Sequence, residues 1–278
     1  MEDDPGAWLM LTINLGPLAL STAHVLLLLS LLLATLTGWY VGRRRAVNPE
    51  KQLFRLLLVT LLVARLAFVA VYFEHYREQP LQAVNILDGG FIAWPGVLTA
   101  LLLGAWQAWH TPAIRKPLVS ALVVGVLSWG LGSFTLQSLE QGTRLPSLAF
   151  TDSKGAPVEI EDYVGKPLVV NLWATWCPPC RREMPVLAEA QRNHPELTIL
   201  FVNQGEGQAA VNQYLEAEAL GLDNVLLDIS GRLGQHVGSM ALPSTLFYDA
   251  EGRQVDSHLG ELSRASLARA LEVLKKDQ

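Results

Sequence analysis

PLVVNLWATWCPPCRREMPVLAEAQRN, residues 167–193, sets an apolar run directly before a cysteine pair and a helical pattern directly after it. The run PLVVNLWAT is rich in Val, Leu and Trp and has the length of a buried strand. RREMPVLAEAQRN reads as a helix, so Cys177 sits where a strand ends and a helix begins. Pro178 and Pro179 fit the first helical positions, where a missing N–H costs nothing. Helix N-terminal N–H groups and the macrodipole favour a thiolate on Cys177. Cys177 and Cys180, in one first turn, can close into a disulfide. One attacking and one resolving thiol is the chemistry of dithiol–disulfide exchange. Pro185 falls inside the same helix and is expected to bend it.

Composition narrows the alternatives. The chain has 278 residues, only 2 of them cysteines, which excludes a disulfide-stapled scaffold. Zinc needs four ligands, and His194, His236 and His258 stand at unsuitable intervals, so no metal is expected. A purely structural disulfide so short in loop gains little entropy. No organic cofactor is implied; the redox group is the Cys177–Cys180 pair. Net charge is −5, which argues against nucleic acid as a partner. Residues 1–139 hold 9 Lys+Arg and 7 Asp+Glu, and residues 140–278 hold the other 12 and 19. An oily first half, 1–140, is thus followed by an acidic globular half, 141–278. The polar stretch SLEQGTRLP, ending at Pro146, suits a linker.

Four apolar runs mark the first half, at Leu26–Leu36, Leu53–Phe73, Gly89–Trp109 and Leu118–Leu139. Hydrocarbon is spanned by about 20 such residues, so four transmembrane helices are expected. Loop one carries Arg43, Arg44, Arg45 and Lys51, and loop three carries Arg115 and Lys116. Loop two sets Arg77 among Glu74, Glu78 and Asp88. Positive loops stay in the cytoplasm, which puts the N-terminus and the C-terminal half on the periplasmic side of a bacterial inner membrane. MEDD at the start has no basic n-region, so no cleaved signal is expected, and the absence of a nearby cysteine excludes a lipoprotein anchor. Arg65 is the costly residue, disfavoured by roughly 2.5–3.5 kcal/mol at a helix centre. It either pairs with polar groups between helices or binds a lipid head group or other anion.

The second half resembles the thioredoxin superfamily, in its TlpA-like and ResA-like extracytoplasmic branch, from about Pro146 to Lys276. The carriers are LAFTDSKGAPVEIEDYVGKPLVVNLWATWCPPCRREMP (Leu148–Pro185), LTILFVN (Leu197–Asn203) and ALPSTLFYD (Ala241–Asp249). A helix from Gln208 to Leu220, a strand from Gln254 to Leu259 and a helix from Arg264 to Lys275 complete the expected order. That order is strand, helix, strand, helix, hairpin, helix. The resemblance implies a cis Pro243, with the Leu242 backbone offered to an extended substrate by strand-like pairing. An ordinary loop proline is the plain alternative. It also implies Glu183 as an acid–base partner of Cys180, where the plain alternative is a surface carboxylate near a helix start. Asn171 stands where general thioredoxins carry a titrating aspartate. Trp176 and Trp173 are expected to pack around the site, Trp173 as core.

The first half resembles bacterial prolipoprotein diacylglyceryl transferase over about residues 8–135. INLGPLALS (Ile13–Ser21) followed by GRRRA (Gly42–Ala46) is similar to that family's first helix. ARLAFV (Ala64–Val69) is similar to its second conserved helix, and DGGFIAWPGVL (Asp88–Leu98) to its glycine-rich segment. The departures are chemical. The family's histidine is Trp94, its first paired glycine is Pro95, its tyrosine falls at Ala23, and GLGSFTL (Gly130–Leu136) lacks its arginine and asparagine. Arg65 is the chief polar residue retained.

Together these readings describe a membrane-anchored thiol–disulfide oxidoreductase that reduces protein disulfides, with an α-helical membrane domain and an α/β thioredoxin fold. Its helices hold no thiol, so a separate transmembrane thiol donor is expected beside protein substrates and membrane lipids. Two alternatives stay open. One is diacylglyceryl transfer by the membrane half; the other is a non-catalytic binding module for cytochrome or copper-protein maturation.

Overall fold

The computed structural model describes residues 12–15, 18–43, 47–77, 79–140, 143–239 and 241–276. Arg44, Arg45, Glu78, the MEDD segment, and Gly16 and Pro17 of INLGPLALS lie outside the described residues. The chain divides into two compact units, one of Thr22–Ile86 with Gly90–Leu136, the other of Gln137–Gln278 with Met1–Ser21 and Leu87–Gly89.

The first unit is helical: α1 (Thr22–Gly42), α2 (Glu50–Val71), α3 (Ala93–His110) and α4 (Arg115–Glu140). Its packing is the reverse of a soluble bundle. α1 buries Ser30, Ala34, Gly38 and Gly42 and exposes Leu28, Leu29, Leu32, Leu33 and Leu36. Small residues at four-residue spacing let backbones approach, while leucines face an apolar solvent. Gly38 shows the tolerance: a Cβ there would meet Pro49 Cγ at 2.8 Å and Ala121 Cβ at 3.3 Å. At the end of α1, Arg43 lies over the ring of exposed Tyr40, 4.3 Å from its centroid.

Among the described residues, three helices are long and apolar enough to cross a membrane: Thr22–Gly42, Glu50–Val71 and Arg115–Leu139. The third expected run, Gly89–Trp109, does form a helix, α3, but it does not meet that standard. Its 18 residues carry Trp94, Pro95, Trp106, Gln107, Trp109 and His110, and at 1.5 Å per residue they reach about 27 Å. The resemblance to a first transferase helix across Ile13–Ser21 also needs correcting. Thr12–Leu15 (β1) and Leu18–Ser21 (β2) form an antiparallel pair, and α1 begins only at Thr22. Gly and Pro are the residues a helix tolerates least, and the sequence places that pair between the two strands.

Arg65 is buried on α2. Its Nε donates to Ala83 O (3.1 Å), Nη1 to Gly90 O (2.8 Å), and Nη2 to Gln82 O (3.3 Å) and Asn85 O (2.7 Å). Phe68, Tyr76 and Phe91 present rings within 5.9 Å of the guanidinium carbon. Gln82 and Ala83 lie in the short 3₁₀ turn Pro80–Val84, where Gln82 O also accepts from Asn85 N at 3.0 Å, and the guanidinium fork gathers these carbonyls with those of Asn85 and Gly90.

The second unit holds a seven-stranded sheet in the order β4-β3-β7-β6-β5-β8-β9. Its strands are β3 (Ala149–Asp152), β4 (Pro157–Glu159), β5 (Leu168–Trp173), β6 (Thr198–Gln204), β7 (Val225–Asp228), β8 (Ser244–Tyr248) and β9 (Gln254–Leu259). Its helices are α5 (Pro178–Asn193), α6 (Gln208–Glu218), α7 (Arg232–His236) and α8 (Arg264–Lys276). β5, β6 and β7 run parallel; β8 joins β5 antiparallel. β5 is buried at all six positions, as a central strand covered on both faces must be. Val169 and Trp173 pack with Met184, Leu187, Leu267 and Leu271 on one face. Val170 and Leu172 pack with Leu233, Val237 and Ile160 on the other.

The expected order lacked β7 and the β3–β4 pair. VLLD is four residues long, too short to declare a period. The linker is also shorter than expected. Leu145 N donates to Gly252 O and Gln254 N to Thr143 O, so the chain is tied to the sheet from Thr143 onward.

Replacing Arg65 by Met removes four hydrogen bonds at once. With charge-assisted bonds worth about 1.5–3 kcal/mol each, the full chain in detergent should lose on the order of 3 kcal/mol or more of helical stability. Circular dichroism during thermal unfolding measures this. An unchanged midpoint would contradict a structural role for the arginine.

Candidate functional site: the cysteine pair at the start of α5

The β5–α5 junction builds the site. After Trp173 the chain turns so that Cys177 N donates to Ala174 O at 3.2 Å. Cys177 is the N-cap of α5, with φ −87° and ψ 108°, and its Sγ accepts from Cys180 N at 3.3 Å. Arg181 N donates to Cys177 O at 3.1 Å. The two sulfurs are joined, with the Cα atoms 5.3 Å apart. Cys177 retains 3% exposure and Cys180 none.

Register brings a second element to this end of the sheet. Leu172 pairs with Ser244, so Pro243 lies level with Trp173 where β5 ends. The Leu242–Pro243 bond is cis. Pro243 O accepts from Gly260 N at 2.9 Å, and Ser244 Oγ donates to Ala241 O at 2.7 Å, which holds the segment before β8 in shape. Leu242 packs against the apolar clusters of both sheet faces.

Glu183 lies fully buried on α5, three residues beyond Cys180. Its Oε1 accepts from Asn171 Nδ2 at 2.8 Å and its Oε2 from Leu262 N at 2.8 Å. Asn171 Nδ2 also donates to Thr245 Oγ1 at 3.0 Å. One carboxyl group thus ties α5, β5, β8 and the segment before α8. Trp173 is core, stacked near Tyr214 at 5.4 Å between ring centroids. Trp176 departs from expectation. It does not pack around the site but stands 68% exposed, because the turn that buries Cys177 directs its neighbour outward. Arg65 belongs to the helical unit.

The sequence reading overlooked Glu206. Its carboxylate accepts from Thr175 N (2.7 Å), Thr175 Oγ1 (2.5 Å) and Asn203 Nδ2 (2.7 Å). The only local signal was an acidic residue between two glycines, Gly205 and Gly207, after an apolar strand. Among the described residues, no group of three His, Cys, Asp or Glu is arranged to hold a metal.

The comparisons agree with this geometry. A family model described as Redoxin matches residues 140–274. Thiol-disulfide oxidoreductase ResA of Geobacillus kaustophilus is 32% identical over 137 residues, covering 48% of this chain and 78% of that protein. Through its C-terminal half, the chain belongs to the ResA thiol-disulfide oxidoreductases. ResA of Bacillus cereus is 29% identical over 172 residues, covering 58% of this chain and 96% of that protein. A thioredoxin-family thiol:disulfide interchange protein from Chlorobium tepidum, solved by crystallography, is 25% identical with a TM-score of 0.42, covering 49% of this chain and 95% of that one. A model described as prolipoprotein diacylglyceryl transferase matches residues 11–134. The chain therefore joins a ResA-like oxidoreductase to a membrane-associated helical half.

In the ResA-like domain, burial dominates the electrostatics of Glu183. It pushes the carboxyl from 4.5 up to about 8, against the two hydrogen bonds from Leu262 and Asn171 and with help from the Glu261 charge. The unfolded chain releases this proton near 4.5, whereas the folded chain holds it to about 8. The stabilising effect of the shift is therefore full below about pH 4.5 and is lost as pH rises to about 8. Glu183→Gln should flatten that decline. Urea unfolding of both proteins from pH 5 to pH 8.5 tests it; parallel curves would show that Glu183 does not titrate in this range.

Proposed function

We propose that the chain is a membrane-anchored, extracytoplasmic disulfide reductase, with a helical domain at 1–140 and an exchange domain at 141–278. The observation that carries the reading is a closed cysteine pair whose first member caps α5. In the reduced protein, the Cys177 thiolate attacks one sulfur of a substrate disulfide. The substrate S–S bond breaks, the departing sulfur takes up a proton, and a mixed disulfide forms. Cys180 then loses its proton and attacks Cys177 Sγ. The second substrate sulfur leaves as a thiol, and Cys177–Cys180 closes. The substrate gains two electrons and two protons.

Glu183, one helical turn from Cys180, accepts the Cys180 proton. It does so in its ionised form, which grows as pH rises toward about 8. The Leu242 backbone and Pro243 hold an extended substrate segment, and exposed Trp176 covers it. The reductive direction rests on the resemblance to the TlpA-like branch.

We further propose four membrane crossings. α3 lies along α2 closely enough that a Cβ at Gly96 would come within 2.9 Å of Thr60 O, which supports a shared depth in the bilayer. With Arg43 and Lys51 flanking the α1–α2 connection and Arg115 and Lys116 opening α4, both on the cytoplasmic side, the exchange domain is periplasmic. Electrons come from a separate transmembrane thiol donor.

Two experiments test this reading. Cys180→Ser should accumulate mixed disulfides with substrate proteins on non-reducing gels, several-fold more than Cys177→Ser. Equal trapping by the two would refute the assignment of attacker and resolver. Alkaline phosphatase fused after Gln278 should be active, and a fluorescent reporter that matures only in the cytoplasm should be dark. The opposite pair of outcomes rules out the topology.

A further inference from the structure

The loop that delivers Cys177 is held from outside by one carboxylate. Glu206 sits between β6 and α6, after Gly205, whose φ of +79° needs a glycine, and before Gly207, the N-cap of α6. Its Oε2 receives Thr175 N and Asn203 Nδ2, and its Oε1 receives the Thr175 hydroxyl. Asn203 is buried on β6 and pairs in register with Trp173, the last residue of β5. The clamp is therefore mounted on the same ladder that ends in the exchange loop.

Thr175 is two residues before Cys177. Consecutive Cα atoms lie 3.80 Å apart, so the two Cα atoms are at most about 7.6 Å apart. Both polar hydrogens of Thr175 go to Glu206. A negative charge fixed on Thr175, two residues before Cys177, disfavours a second one on the Cys177 sulfur. Because a stabilised thiolate stabilises the reduced form and makes a pair oxidising, opposing the thiolate makes it reducing.

We propose that Glu206 is a positioning residue for the exchange reaction: it clamps the Ala174–Trp176 turn through Thr175 and holds a negative charge near Cys177 that makes the dithiol a stronger reductant. The inference rests on Cys177–Cys180 being the exchanging pair.

The test uses the full chain in detergent, where these two cysteines are the only thiols to count. Wild type and Glu206→Gln are equilibrated with reduced and oxidised glutathione at pH 7, and the dithiol fraction is read by alkylation and mass shift. Glutamine keeps the shape and one acceptor but not the charge. The equilibrium should move about threefold toward the dithiol, roughly 14 mV at 29.6 mV per tenfold. The Cys177 alkylation rate should also reach its midpoint at lower pH. Glu206→Asp, which keeps the charge, should return toward the wild-type constant. Thr175→Val, which keeps the amide bond and the charge, should keep that constant while slowing reduction of a model disulfide several-fold.

A folded Glu206→Gln protein with the wild-type equilibrium constant overturns the proposal. If Glu206→Gln does not fold, Thr175→Val decides, and an unaltered reduction rate there overturns it. A wild-type pair that never exchanges with glutathione would instead remove the proposed function on which the inference stands.

Discussion

A helix must find partners for its first four backbone N–H groups, and in α5 this requirement determines where the sulfur goes. Pro178 and Pro179 have no N–H to satisfy. Cys180 N goes to Cys177 Sγ and the N-cap's own N–H to Ala174 O, while Arg181 N makes the first intrahelical bond, to Cys177 O. Every donor of the first turn is thus either absent or bound. The position that serines and aspartates usually occupy as caps is held here by a reactive atom. The same N–H that stabilises the helix start is aimed at the sulfur that would carry charge.

Two carboxyl groups are tied to that arrangement, by different physics. Glu183 is buried, and burial holds its proton to about pH 8 although two N–H donors face it. Near neutrality it therefore exchanges a proton with little cost in either direction. Glu206 is only half-buried and meets its three donors on the outer side of the loop. Its effect on the sulfur runs through position and through-space charge. A helix N-terminus left alone would pull the pair toward a stable thiolate and an oxidising potential. The charge proposed for Glu206 opposes that pull.

How far the sequence disclosed this differs with the range of the interaction. The strand–CPPC–helix unit was readable because strand burial, prolines at N1 and N2 and a capping residue are local properties. The cis bond at Pro243 and the buried Glu183 were available only through resemblance. Nothing within a few residues of either distinguishes a buried carboxyl from a surface one; its partners lie at Asn171, Thr245 and Leu262. Glu206 was missed for the same reason, since its clamp joins residues 31 apart along the chain. β7 escaped because four apolar residues cannot show a period. Trp176 was misplaced because an aromatic beside a reactive cysteine invites a packing role, whereas the turn at Ala174–Cys177 sends it into solvent.

The helical half follows from its solvent. Leucines exposed on α1 and small residues buried there make sense only if the surroundings are apolar, because in water the same pattern would leave the largest apolar area uncovered. In such a medium each unpaired carbonyl is expensive. Arg65 answers that cost by gathering four main-chain oxygens from the connection between α2 and α3. With no cysteine in any of these helices, a thiol relay cannot run through them. In the proposed reductive direction each turnover consumes two electrons, for which these helices offer no thiol route.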